Sequence, residues 1–138
     1  MGCDLCVFVP AKEDHDCAMS YSTFDAIRVY IASLYLREKG YDIESDMFSV
    51  LSYGKVYDLL REQYEKYIEG DEFAGILYNW FKHSDCDGSY WYEECENIAK
   101  VLTYYVDKIP DIHYKGFVEA LIDTFTYAAH MEGVVEVC

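Results

Sequence analysis

Residues able to do specific chemistry gather in one stretch, His83-Ser84-Asp85-Cys86-Asp87-Gly88-Ser89-Tyr90-Trp91-Tyr92-Glu93-Glu94. Asp85 and Asp87 stand two apart, Gly88 follows, and Glu94 lies six residues past that glycine. A calcium loop of the EF-hand type draws oxygen ligands from positions 1, 3, 5, 7, 9 and 12 of twelve, with glycine at 6 for its sharp turn. With Gly88 at position 6, Asp85 and Asp87 fall at 3 and 5. Ser89 then offers a backbone carbonyl at 7, and Glu94 lands at 12. Position 1 departs from the pattern, because His83 stands where an aspartate is expected and imidazole is a poor donor for a hard cation. Position 9 is Trp91, so water has to fill it.

The metal ligands expected from this spacing are therefore Asp85, Asp87, Ser89, Glu94 and His83. A weak calcium site, a magnesium site and a vestigial loop all fit them. A purely structural alternative has Asp85 and Asp87 bonding their own backbone in a tight turn. Glu93 and Glu94 then only complement the first turn of a helix. Zinc on His83, Cys86 and Cys95 ranks below calcium: the cysteine spacing matches no common structural zinc site, and Cys95 falls on an apolar stripe where a buried thiol suffices. In the aromatic run, Tyr90 reads as packing, whereas Trp91 and Tyr92 are candidates for contact with a partner protein.

Other constellations are thinner. Cys3 and Cys6 form a C-x-x-C pair, but on a strand residues three apart point to opposite faces. A zinc site joining them to His15 and Cys17 requires a loop there, and a redox pair requires a following helix. His113 and His130 have no companion motif. No nucleophile elbow, phosphate loop or dinucleotide fingerprint is present, so the expectation is a protein without catalytic activity.

The elements that must position the loop follow from apolar periodicity. Residues 3–9 alternate as a strand, with Leu5, Val7 and Val9 on one face, and 10–20 read as a polar loop. Ser22-Thr23-Phe24-Asp25 fits a capping box. It opens a helix over about 22–39 with a face of Phe24, Ile27, Ile31, Leu34 and Tyr35, closed by Gly40. A short turn over 45–52 breaks near Ser52-Tyr53-Gly54. The next helix, about 55–69, carries Val56, Leu59, Leu60, Tyr64, Tyr67 and Ile68. Asp71 caps a helix with the stripe Phe73, Ile76, Leu77, Trp80 and Phe81, which delivers the chain into the central loop. The exiting helix, about 92–107, carries Cys95, Ile98, Ala99, Leu102 and Val106. Pro110 stops it, and Asp111 caps a last helix over about 111–131 with Tyr114, Phe117, Val118, Leu121, Phe125 and Ala128. Gly133 closes that helix, and 134–138 is a strand expected to pair with residues 4–8. The fold class expected is mainly α (α+β): one domain over 1–138, five to six helices, a small sheet from the two termini, and a central EF-hand-like helix–loop–helix.

Composition narrows the function classes. The chain has 138 residues, 52% of them hydrophobic, with two prolines, which suits a real core rather than disorder. Net charge is −15, from 26 acidic and 11 basic residues. Phosphate backbones need clustered Lys and Arg, so direct nucleic-acid binding is disfavoured. An acidic chain can bind cations or a basic partner, or compete with nucleic acid for one, but charge that only keeps it soluble is the plainer reading, and the partner expected is simply a protein. No apolar run is long enough for a membrane span. The start has no basic region before its apolar residues, and Cys6 stands where a myristoylation signal wants Ser or Thr. The six cysteines come without a secretory signal, so reduced thiols in a cytoplasm are expected.

Three short blocks carry a resemblance: Met1-Gly2-Cys3-Asp4-Leu5, His83-Ser84-Asp85-Cys86-Asp87-Gly88 with Glu94-Cys95, and Val135-Glu136-Val137-Cys138. Together they resemble a family of small bacterial and phage proteins with a Met-Gly-x-Asp start, a central HSDCDG loop and an apolar end finishing in Cys. The resemblance implies a shared domain plan and supplies no activity. The aromatic run after Gly88 departs from that family's more polar loops. The function expected is an acidic helical binding or regulatory module whose loop takes a divalent cation. Its rival is a small acidic inhibitor of phage type, or a nucleic-acid mimic acting on a host defence protein, favoured by size, charge and the 15 tyrosines.

Overall fold

The computed structural model describes residues 17–42, 52–66, 71–83 and 88–137, together with the backbone of a strand at 2–8. Four strands and five helices occur among them: β1 (Gly2–Phe8), β2 (Cys17–Ser20), α1 (Tyr21–Glu38), α2 (Ser52–Lys66), α3 (Glu72–Lys82), β3 (Ser89–Trp91), α4 (Tyr92–Val106), α5 (Ile112–His130) and β4 (Val134–Val137). The protein is mainly helical with a small antiparallel sheet, as the sequence indicates. By their own contacts the residues group into two compact units, one of residues 1–21 with 84–138 and one of 22–83.

The first unit holds the sheet, in the order β2-β1-β4-β3, with every pair antiparallel. The terminal strands pair as expected, Leu5 opposite Val137 and Val7 opposite Val135. Val135 and Val137 are buried, whereas Glu136 is exposed, the alternation of a half-buried strand. Residues 17–20, read as loop, form β2, because Cys17 and Met19 alternate into the core while Ala18 and Ser20 face water. Ser89–Trp91, read as loop, form β3, an edge strand whose Tyr90 lies opposite Val135. The register sets Cys3 opposite Met19 and Cys6 opposite Glu136. With 2–8 in a strand, the loop needed for zinc on Cys3, Cys6, His15 and Cys17 is not there.

α4 and α5 pack on each other and on the sheet. Asp111 caps α5 by accepting from the amides of His113 and Tyr114, at 2.9 and 3.2 Å. Val118, Leu121, Phe125 and Ala128 are its buried stripe, while Tyr114 and Phe117 are half-buried. Its C-terminus closes with Gly133 N donating to Ala128 O at 2.8 Å and Glu132 N to Ala129 O at 3.3 Å. This is a Schellman pattern. The left-handed residue, however, is Glu132 at φ 51°, one place before the glycine expected to serve.

The second unit holds α1, α2 and α3. α1 starts at Tyr21, so Ser22 lies inside its first turn instead of capping it. Its burial is not one stripe: eleven residues between Phe24 and Leu36 are buried, on every side of the helix, and Leu34 is only half-buried. α1 ends in a Schellman pattern too, here with Gly40 at φ +92°. α2 begins at Ser52, so the expected break at Ser52-Tyr53-Gly54 is helical instead. The turn expected over 45–51, and Tyr67 and Ile68, lie outside the described residues. Asp71 caps α3, accepting from Ala74 N at 3.3 Å. Ala74, Ile76, Leu77, Trp80 and Phe81 are buried there, and Phe73 is half-buried.

Candidate functional site

The 83–94 stretch is entered from α3 and left through β3 into α4. α3 ends at Lys82, and His83 is its half-buried C-cap, donating its amide to Trp80 O at 3.1 Å. Arg28 of α1 closes this helix end. Its Nη1 donates to Trp80 O at 2.9 Å and to His83 O at 2.7 Å, while Nη2 pairs with Asp25 at 2.7 Å. The guanidinium also lies over the rings of Phe24 and Tyr53, 4.7 and 5.1 Å from their centroids. A cation at a helix C-terminus is favoured by the macrodipole, and here it is only 1% exposed, which strengthens the bond. Only its Nε lacks an acceptor. Arg28 was not legible as a site residue, although a lone arginine inside Ile27-Arg28-Val29-Tyr30-Ile31, three residues after Asp25, is the signal that marks it.

On the exit side, Gly88 takes φ +114°, a conformation that favours glycine, and its carbonyl accepts from Val137 N at 3.0 Å. Tyr90 is fully buried and meets Phe125 edge-on, ring centroids 5.3 Å apart. Cys95 is buried below it and aims its thiol at Tyr90 O, 3.6 Å away. Burial pushes that thiol up to about 12, with the Glu94 charge adding to the rise. Burial thus favours the protonated thiol of Cys95.

The sequence-derived metal ligands are distributed as follows. Asp85, Asp87 and Cys86 lie outside the described residues. His83 belongs to the helical unit, whereas Ser89 and Glu94 belong to the sheet unit. Ser89 pairs with Glu136 in the β3–β4 ladder. Glu94 Oε1 accepts from Trp91 N at 3.4 Å, half of a capping box, since an indole has no acceptor to return. Among the described residues no three His, Cys, Asp or Glu side chains are placed to hold a metal ion.

The partner candidates are placed differently. Trp91 is 65% exposed on the edge strand, opposite half-buried Val134. Tyr92 next to it is half-buried, and the charges of Glu93 and then Glu132, with some burial and a hydrogen bond to Glu93, raise its phenol above the ordinary value. Glu93, Glu132 and Glu136 are all exposed. Two aromatic rings thus share one surface with carboxylates from three segments. Glu132 and Glu136 are far from this surface in sequence and were missed, because only strand pairing brings the α5–β4 turn beside β3. No protein-family model, curated protein or solved structure matches the chain. No described helix is long and apolar enough to cross a membrane.

Proposed function

We propose that the protein is a non-enzymatic acidic binding module that takes a lysine- and arginine-rich segment of a partner protein on the surface around Trp91 and Tyr92. The observation that carries this reading is the 65% exposure of Trp91 beside Tyr92, Glu93 and Glu132. Aromatic faces attract cations, and carboxylates at the rim pair with the same groups. Tryptophan and tyrosine are also the residues that dominate protein interfaces. Glu132 adds to the case, because it occupies a left-handed position where glycine costs nothing. Strained positions cluster at functional sites, which agrees with a role for this carboxylate. The net charge of −15 would steer a basic partner toward the surface.

The test is a titration with a Lys/Arg-rich peptide, following tryptophan fluorescence. Trp80 is buried, so the responsive ring is Trp91. A saturable change that salt weakens and Trp91→Phe abolishes is expected. Equal peptide affinity in Trp91→Phe and the native chain, measured by calorimetry, rejects this surface.

A second reading keeps the 83–94 loop as a divalent-cation site, calcium before zinc, that orders the same surface. What supports it is the frame: α3 stops at Lys82, Gly88 has positive φ at the position the loop requires, and α4 starts at Tyr92. Calorimetric titration of metal-free protein with calcium, repeated on Asp85→Asn plus Asp87→Asn, tests it. An unchanged heat in the double variant removes the reading.

A further inference from the structure

Within the helical unit, the ends of α1 and α2 and the start of α3 frame a cleft of about 500 Å³, within the range of small-molecule sites. Lys39, Tyr41, Glu62, Gln63, Lys66 and Asp71 line it. Two of the chain's 11 basic residues thus converge on one recess of a protein that is otherwise strongly acidic. Asp71 has no capacity left for a ligand. Its Oδ1 accepts from Ala74 N at 3.3 Å, and its Oδ2 takes the Tyr35 hydroxyl, Lys39 Nζ at 3.3 Å and Gln63 Nε2 at 3.5 Å. Burial alone would raise this carboxyl, but the hydrogen bonds from Tyr35, Lys39 and the Ala74 amide outweigh it and hold it below its ordinary range.

An ionised Asp71 fixes Lys39 at the cleft, and Lys39 keeps further N–H donors beyond that one contact. Its side chain is 41% exposed. Gln63 is 4% exposed, on the α2 face where the periodicity calls for an apolar residue. Its amide is fixed at both ends, since Oε1 accepts from the Tyr41 hydroxyl at 3.2 Å. A buried amide costs free energy unless bonded, and here it serves to hold Tyr41 and Asp71 at the wall.

We propose that this cleft binds a small oxyanion, a carboxylate or a phosphate, between the ammonium groups of Lys39 and Lys66. Tyr41 lies at the same wall, and Asp71 and Gln63 act as positioning residues. Glu62 at the lining opposes large polyanions and limits the ligand to a compact one.

The experiment is an amide NMR titration of the full chain with succinate and, separately, inorganic phosphate, each at constant ionic strength with sodium chloride as reference. Saturable shifts centred on residues 39–41, 62–66 and 71–74 are expected from at least one anion, and the one that saturates identifies the ligand chemistry. Lys39→Met plus Lys66→Met should weaken that binding by about tenfold or more, the loss of two charge-assisted contacts, while the melting temperature of the liganded-free chain shows that it stays folded. Lys66→Met alone leaves the Asp71 network intact, so a loss of affinity there supports the site even if the double variant unfolds. Shifts no larger than those from chloride, or unchanged affinity in the folded Lys66→Met and double variants, would overturn the proposal.

Discussion

Arg28 Nη1 bonds His83 O at 2.7 Å, so a side chain of α1 fixes the residue at which the 83–94 stretch begins. The same nitrogen holds Trp80 O, and Asp25 balances the charge. Replacing Arg28 with methionine takes the ion pair from half-buried Asp25 and one donor each from Trp80 O and His83 O. Stability should fall by about 1.5–3 kcal/mol, the usual worth of hydrogen bonds to a charged group. Lysine should recover only part of it, because an ammonium cannot reproduce the planar fork. Urea unfolding measures both. A loss under about 0.5 kcal/mol, the range of ordinary surface changes, would show that the contact does not organise α3.

Asp71 predicts a pH signature. Its carboxyl lies below the ordinary range when folded, so its stabilising contribution is fully present above the unfolded value near about 3.9. The contribution is lost as pH falls through the folded value. Asp71→Asn keeps an N-cap but cannot ionise. The difference in melting temperature between the native chain and this variant should be constant near neutrality and shrink as the solution is acidified below about pH 4. A difference independent of pH would remove the charged role of Asp71.

Glu132 should separate stability from binding. Glu132→Gly relieves a left-handed position worth about 1–2 kcal/mol, partly offset by the greater freedom of glycine in the unfolded chain. A net gain of about 0.5–1 kcal/mol is expected. Glu132→Ala removes the same carboxylate without relieving φ, so it should not stabilise. Both should weaken binding of a basic peptide. Equal melting temperatures for the two variants would contradict the assignment of strain to this residue.

The two described thiols should be inert in the folded protein. Burial pushes Cys17 up to about 11, with the Asp123 charge contributing, and Cys95 up to about 12. Reaction needs the thiolate. Mass mapping after brief treatment with a thiol reagent at mildly alkaline pH should find neither labelled until denaturant is added. Rapid native labelling of Cys95 would place it outside the core.

Much of the fold was legible because helix periodicity and caps are local signals. Asp71, Asp111 and Gly40 each mark the helix end where the structure puts it. The pairing of the terminal strands was readable from their alternation and from how few other strands the periodicity offered, although each also pairs with a second, shorter strand. β2 and β3 were not, since three or four residues are too few for a period, and only pairing with β1 and β4 makes them strands. For the same reason α1 read as one-sided: its Arg28 and Ser33 are polar by type yet buried through tertiary contacts. At the proposed surface, Trp91 and Tyr92 stand out in the sequence through their own run of aromatics. Glu132 could not, because a turn about forty positions away reaches them only through the sheet.

The proposed function requires Trp91, Tyr92 and their carboxylates to act as one surface for a basic segment. Calorimetry with a Lys/Arg-rich peptide should compare the native chain with Trp91→Ala and with Glu93→Gln plus Glu132→Gln, at low and high salt. Trp91→Ala should lose affinity at both salts, the part of binding that is aromatic. The glutamine pair should lose it mainly at low salt, the part that is charge. Identical affinities for all three chains would mean that the peptide responds only to net charge, and would contradict a dedicated surface at Trp91.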